Sequence, residues 1–333
     1  MLKGHQTWVF ENKPVLISSG AVGGPFEGQG PLAEDFDLLH EDIWLGQDSF
    51  EKAEKRLMEE ACEIAIRKVG MKKEDIQFFL SGDLMNQIIT SSFTARTVGA
   101  PFLGLFGACS SAMEGLALAS LLVDSGFAEN ALAAASSHNA AAEKQFRYPT
   151  EYGAQKPPTA QWTVTGAGAG LVAKEGDGPR ITSATIGRVI DMGLSDPFNM
   201  GSAMAPAAVD TIQRHFHELN IKPSHYDLIA TGDLGRVGHH IATDLLREHN
   251  LEIPPKIFTD CGLLIYRDDQ PVFAGGSGCG CSATVTYGHL INRMKKGELK
   301  RILVIATGAL LSPMSYQQKE SIPCIAHAVS LEM

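Results

Sequence analysis

Ser81-Gly82-Asp83-Leu84 and Thr231-Gly232-Asp233-Leu234 lie 150 residues apart, and each follows a short apolar run. The same order of elements surrounds both. Before the first, Leu57, Ala61, Ile64, Ala65 and Val69 recur at helical spacing, and Gly70 stops that helix. A polar turn at Lys72 to Asp75 leads into the predicted strand Ile76 to Leu80. Before the second, a helix from about Pro206 to Leu219 ends at Asn220, a turn follows at Lys222 to His225, and a strand runs from Tyr226 to Ala230. Residues 53–84 fall against 203–234 without a gap.

A second block repeats at an offset of 171. Cys109-Ser110-Ser111-Ala112 opens a helix to about Asp124, and Gly126 leads to the strand Ala131 to Ala135. Opposite it, Gly280-Cys281-Ser282-Ala283 opens a helix to about Lys295, and Gly297 leads to the strand Ile302 to Ala306. The change of offset puts 21 extra residues between Asp233 and Gly280. The chain is therefore read as one α/β unit used twice, with halves at 1–190 and 191–333. Strands without polar alternation suit sheets covered on both faces. The helices that begin at Ser110 and Cys281 are apolar on nearly every side, so both are buried all round. Together these patterns predict a layered α-β-α-β-α architecture of two sheets, with the two helices back to back between them. Gly166-Ala167-Gly168-Ala169-Gly170 lies inside an apolar strand with no phosphate-binding helix pattern after it, which points to close backbone packing rather than a nucleotide loop.

The 333 residues are 44% hydrophobic and 20% charged, the range of a soluble globular protein with a sizeable core. That composition argues against disorder everywhere except in the N-terminal stretch around Phe26 to Asp35. A formal charge of −10 argues against non-specific binding to nucleic acid or anionic lipid, because the long-range field repels both. No run approaches the roughly 18 apolar residues of a membrane span. Without a signal-peptide pattern, the chain reads as made in the cytoplasm, with any membrane association peripheral. The six cysteines show no framework spacing and read as reduced thiols. Cys279-x-Cys281 has the wrong spacing for a zinc knuckle, and no metal site is expected.

Cys109 sits between a predicted strand and a helix N-terminus, where unpaired N–H groups and the helix dipole would lower a thiol's pKa. The same features suit a bound carboxylate, with Ser110 beside it, or simply a small buried thiol in a tight turn. Asp83 and Asp233 end paired strands, where pockets in α/β sheets commonly lie, though capping the following loops is the favoured duty of both. Asn86 is either a pocket donor or a loop cap. His138 begins the loop that holds Lys144, Arg147 and Tyr148, and is either a donor to a carboxylate or a core histidine. Arg236, with His239 and His240, is the nearest cationic candidate of the second half, or a surface residue.

On the duplicated halves, Ala108-Cys109-Ser110-Ser111 and the Gly-rich turn Gly275 to Gly280, the chain resembles the thiolase superfamily, which includes the condensing enzymes of fatty-acid and polyketide synthesis. The resemblance implies a thiolase-like duplicated fold, with Cys109 at the position that takes the acyl group. The rest of the catalytic set does not match. The Gly-rich turn has neither the histidine nor the asparagine of those enzymes. Thr231-Gly232-Asp233 stands where short-chain condensing enzymes carry a histidine, and Ala306-Thr307-Gly308 where thiolases carry a second cysteine.

Further segments resemble a non-catalytic branch of the superfamily from spore-forming bacteria: Lys3 to Trp8, Ser81 to Gln87, Phe106 to Ser111, Ser137-His138 and Gly275 to Cys281. That resemblance implies binding of dipicolinic acid (pyridine-2,6-dicarboxylate) for uptake into the developing spore, without catalysis. It also implies a peripheral subunit at the inner forespore membrane that works with integral membrane proteins. The candidate ligand set is Asp83, Asn86, Cys109, Ser110, His138, Asp233 and Arg236. No resident cofactor is implied, although Ca²⁺ could accompany dipicolinate, since it takes roughly six to eight oxygens. Pairing into a homodimer is expected through the strand after the Cys109 helix, Ala131 to Ala135. The alternative function is acyl transfer by Cys109 with a partner such as His138.

Overall fold

The computed structural model describes residues 1–146 and 156–333. Arg147 and Tyr148, singled out above, lie outside the described residues. In chain order the first half runs β1 (Val15–Gly23), α1 (Phe50–Lys68), β2 (Phe79–Gly82), α2 (Ile89–Val98), β3 (Phe102–Gly104), α3 (Ser111–Asp124), β4 (Asn130–Ser137), α4 (Asn139–Phe146) and β5 (Gly166–Ala173). The second runs β6 (Arg180–Thr185), α5 (Met200–Leu219), β7 (Leu228–Thr231), α6 (Gly235–Glu248) and β8 (Phe258–Asp260). A central helix α7 then starts as Cys279–Thr284, passes through a π-helical turn at Val285–Leu290 and ends as Ile291–Lys295. The chain closes with β9 (Arg301–Ala309), α8 (Pro313–Gln317) and β10 (Cys324–Glu332).

The duplication is visible in the strand order. The first half reads β3-β2-β4-β5-β1 and the second β8-β7-β9-β10-β6. In each, the first and last strands pair antiparallel, the next pair is antiparallel, and the remaining two pairings are parallel. The predicted two sheets are joined edge to edge: β6 pairs with β1 at Arg180 and Val15, which makes one continuous array. Since β6 is the counterpart of β1, the expected division at 190/191 falls after the first strand of the second repeat.

Helix α1 covers β1 and β5 on one outer face, and α5 covers β9 and β10 on the other. Between them α3 packs on β2 and β4 of its own half and on β9 and β10 of the other, while the start of α7 packs on β4 and β5. This is the predicted five-layer order, with the two apolar helices in the middle. Close packing at the Gly-Ala-Gly-Ala-Gly strand holds as predicted. A Cβ on Gly168 would lie 2.5 Å from the Ala283 carbonyl oxygen, and one on Gly170 2.4 Å from the Tyr287 ring. Helix α7 therefore rests directly on the backbone of β5.

Three expectations are corrected. Helix α5 begins at Met200 and contains Pro206; burial of Gly201, Ala203, Met204 and Ala205 outweighs the one ladder bond a proline cannot donate. The stretch Phe26 to Asp35 is packed rather than disordered. Glu27 is fully buried and accepts from the Thr165 N–H at 3.0 Å and from the Tyr266 hydroxyl, while Asp35 accepts from His289 Nδ1 at 2.6 Å and Asn292 Nδ2 at 2.9 Å. Third, β4, expected to carry the subunit contact, is hydrogen-bonded on both sides by β2 and β5 and has no free edge. The open edge of the first half is β3, with Leu103 44% and the nearby Phe106 63% exposed. At the opposite end β8 is the edge, but Phe258 is buried there under His239. No helix among the described residues is long and apolar enough to cross a membrane.

Candidate functional site

The loop after β2 and the turn before α3 meet the Gly-rich turn before α7, and together with the segment around α8 they enclose a cavity of about 880 Å³. Asp83, Cys109 and Gln161 in its wall are buried, while Phe106 and Met314 are well exposed and mark its open side. Most of the remaining wall is apolar, from Met85, Ile88, Phe146, Phe198, Met200, Leu310 and Leu311.

Cys109 is only 6% exposed and sits just after Ala108, which is held at a positive φ of 49°. A non-glycine residue rarely adopts that conformation. The environment of the thiol is the reverse of an activated nucleophile's. Contact with the Cys279 thiol, burial and the charge of Asp233, in that order, push Cys109 well above the usual thiol range. Cys279 is itself fully buried and donates to the Ala108 carbonyl at 2.9 Å. The helix-terminus effect anticipated from the sequence is overridden, because desolvation and neighbouring acceptors favour the neutral thiol.

The two aspartates perform different tasks. Asp83 accepts from the N–H groups of Met85 at 2.9 Å and Ser91 at 2.7 Å and from the Ser91 hydroxyl at 2.7 Å, so it caps its own loop as predicted. Burial lifts its pKa to about 6. Asp233 instead reaches across to the Gly-rich turn and β9. It accepts from the Thr307 hydroxyl at 2.6 Å, the Gly278 N–H at 3.0 Å and the Ser277 hydroxyl at 3.0 Å. Burial raises its pKa as well. The loop after β7 is capped by Asp260, which accepts from the N–H groups of Leu234 and Gly235.

Of the other candidates, Asn86 lines the cavity, and its N–H donates to Gln145 Oε1 at 2.8 Å. Ser110 is fully buried, donates to the Gly107 carbonyl at 2.6 Å and lies outside the lining. His138 also lies outside it: Nε2 donates to the Ile43 carbonyl at 2.8 Å, Nδ1 accepts from the Ala141 N–H, and the ring stacks on Phe50. Burial lowers its pKa, so it is a neutral core histidine. Arg236 is solvent-exposed on α6, 3.6 Å from Asp268, and away from the cavity. Among the described residues the lining holds two carboxyls, Asp83 and Glu143, and no Lys, Arg or His. Glu143 pairs with Lys156 at 2.7 Å. Among the same residues no group of three or more His, Cys, Asp or Glu is placed to hold a metal ion.

Sequence reasoning missed Glu54 and Gln161. Glu54 is completely buried behind the cavity wall and accepts from the Ser136 hydroxyl at 3.0 Å; burial and then the charge of Asp83 raise its pKa well above the carboxylate range. Its signal was present, because it lies one turn before Leu57 on the apolar face of α1, where a carboxylate is out of place. Gln161 donates from Nε2 to the carbonyls of Asp233 and Gly276 and ties the two halves at the cavity floor. Nothing in its sequence context marks it.

The fold is shared with solved structures at low identity. A 3-oxoacyl-[acyl-carrier-protein] synthase III from Aquifex aeolicus matches with a TM-score of 0.62 at 14% identity, covering 96% of this chain and all of that one. A structure of OleA from Xanthomonas campestris matches with a TM-score of 0.65 at 14% identity, covering 99% of this chain and 100% of that one. In sequence, the stage V sporulation protein AD of Bacillus subtilis (strain 168) is 55% identical over 331 residues, 99% of this chain and 98% of that protein. The family described as stage V sporulation protein AD matches residues 4–332. With a thiolase-like fold, a family match over residues 4–332 and 55% identity along 99% of its length, this chain belongs to the stage V sporulation protein AD family and has a role in sporulation.

Proposed function

We propose that this protein binds dipicolinic acid in the Cys109 cavity, without chemical turnover, to serve its uptake into the developing spore. The observation that carries the reading is the state of Cys109. The residue at the acyl-accepting position opens onto the cavity, yet Cys279, burial and Asp233 keep its thiol protonated. Acyl transfer needs a thiolate and a base within reach, and the nearest histidine anticipated for that task, His138, is committed to the Ile43 carbonyl. What remains at that position is a largely apolar pocket with one open side, and a pocket of this kind binds small molecules.

The protein acts at the inner forespore membrane as a peripheral subunit beside integral membrane proteins of the same uptake system. It pairs with a second copy along the open edge of β3, where Leu103 and Phe106 offer apolar surface. Calorimetric titration of the purified protein with dipicolinate tests the binding: saturable, one-to-one heat is expected, and its absence refutes the reading. Incubation with acyl-CoA and mass spectrometry of the Cys109 peptide should show no adduct that turns over.

A further inference from the structure

We infer that the cavity takes its dicarboxylate together with a proton, and that Asp83 is the group that receives it. This rests on the dipicolinate reading and adds which charge state the site accepts. Dipicolinate carries two negative charges near neutral pH. Among the described residues, the cavity wall meets it with Asp83 and Glu143 and with no Lys, Arg or His. An uncompensated charge moved out of water is costly, and a site resolves the conflict by changing a protonation state.

The groups around Asp83 narrow where the proton goes. From α1, Glu54 faces it and already holds its proton, since burial and the Asp83 charge raise its pKa well above the carboxylate range. From the turn before α3, Cys109 lines the same cavity, and Cys279 at the start of α7 is buried behind it. Contact with Cys279 and burial raise the pKa of Cys109, and burial raises that of Cys279, so both thiols are neutral. From β7, Asp233 is committed to Thr307, Ser277 and Gly278. From α4, Glu143 is paired with Lys156, and Gln145 binds the backbone at Leu84 and Asn86. Asp83 both lines the cavity and titrates near neutrality, at about 6. An incoming dianion raises that value further. One proton moves from the buffer to the Asp83 carboxylate, no covalent bond to the ligand forms or breaks, and the resulting O–H can donate to a ligand carboxylate.

The test is titration of the full chain with dipicolinate in EDTA, at pH 7, in buffers of different ionisation enthalpy. The dependence of the observed heat on the buffer counts the protons. Uptake approaching one proton per ligand is expected, with affinity rising up to about tenfold per pH unit from pH 8 down to pH 6.5. Asp83→Asn should bind with a proton count near zero. If that variant does not fold, infrared spectra of the wild type with ¹³C-carboxyl dipicolinate decide, because a new carbonyl band of a protonated protein carboxyl should appear on binding. Saturable binding with no proton uptake overturns the inference and leaves the binding reading intact. No saturable binding at all overturns both.

Discussion

The loop after β2 and the loop after β7 begin with the same Gly-Asp-Leu and sit at equivalent points of the two repeats, yet their aspartates have parted ways. The glycines kept one job. A Cβ on Gly82 would lie 2.6 Å from the Leu105 carbonyl oxygen, and one on Gly232 2.9 Å from Ala306 Cα, so both strand ends need glycine to let a neighbouring strand approach. Asp83 bonds within eight residues of itself and leaves its carboxyl in the cavity wall. Asp233 bonds to residues at least 44 positions away and fixes the Gly-rich turn to β9. One aspartate is a local cap in the cavity wall, and the other is a cross-brace. Duplication supplied two copies of a motif, and different surroundings gave each a separate use.

The comparison breaks most readily at Asp233. Asp233→Ala removes the acceptor for three donors in the interior and should cost about 3–5 kcal/mol in urea unfolding. Asp83→Ala loses three bonds too, but its loop adjoins an open cavity where water can replace them. A cost of about 2–3 kcal/mol is expected, and equal costs for the two variants would undo the distinction.

The effect of pH sharpens the same contrast. Burial holds Asp83 at about 6 in the folded protein against an ordinary 3.8, so the folded state binds this proton more tightly than the unfolded chain. The stability it contributes is full below about pH 4 and is lost as pH rises through about 6. The unfolding free energy of wild type minus that of Asp83→Asn should therefore fall over this window, by up to about 1.4 kcal/mol per unit, and level off above it. A flat difference would mean that Asp83 is ionised throughout. Glu54→Gln should have the smallest effect, within about 1 kcal/mol at neutral pH, because the side chain it replaces is already neutral. A much larger loss would show Glu54 to be charged.

Much of the fold was legible from residue pattern. Unalternating apolar runs specified buried strands, the all-round apolar helices specified the central layer, and the repeated tetrapeptide located equivalent strand ends. The site was legible only in part. Asp83, Asn86 and Cys109 line the cavity, while Ser110, His138, Asp233 and Arg236 of the same candidate set lie outside its lining, each held elsewhere by the fold. The wall from Leu310 to Met314 gave no signal, because apolar loop residues read alike whether they face a core or a ligand.

By itself, the sequence determined the duplication and the layer order, since each depends on residue type and spacing along the chain. Only the tertiary structure decided the state of Cys109. A helix N-terminus lowers a thiol's pKa and burial beside a second thiol and a carboxylate raises it, and which wins depends on neighbours brought from residues 233 and 279. The same holds for the edge available to a second copy. Strand propensity is local, but whether a strand lies inside the sheet, as β4 does, or at its rim, as β3 does, is a property of the assembled order.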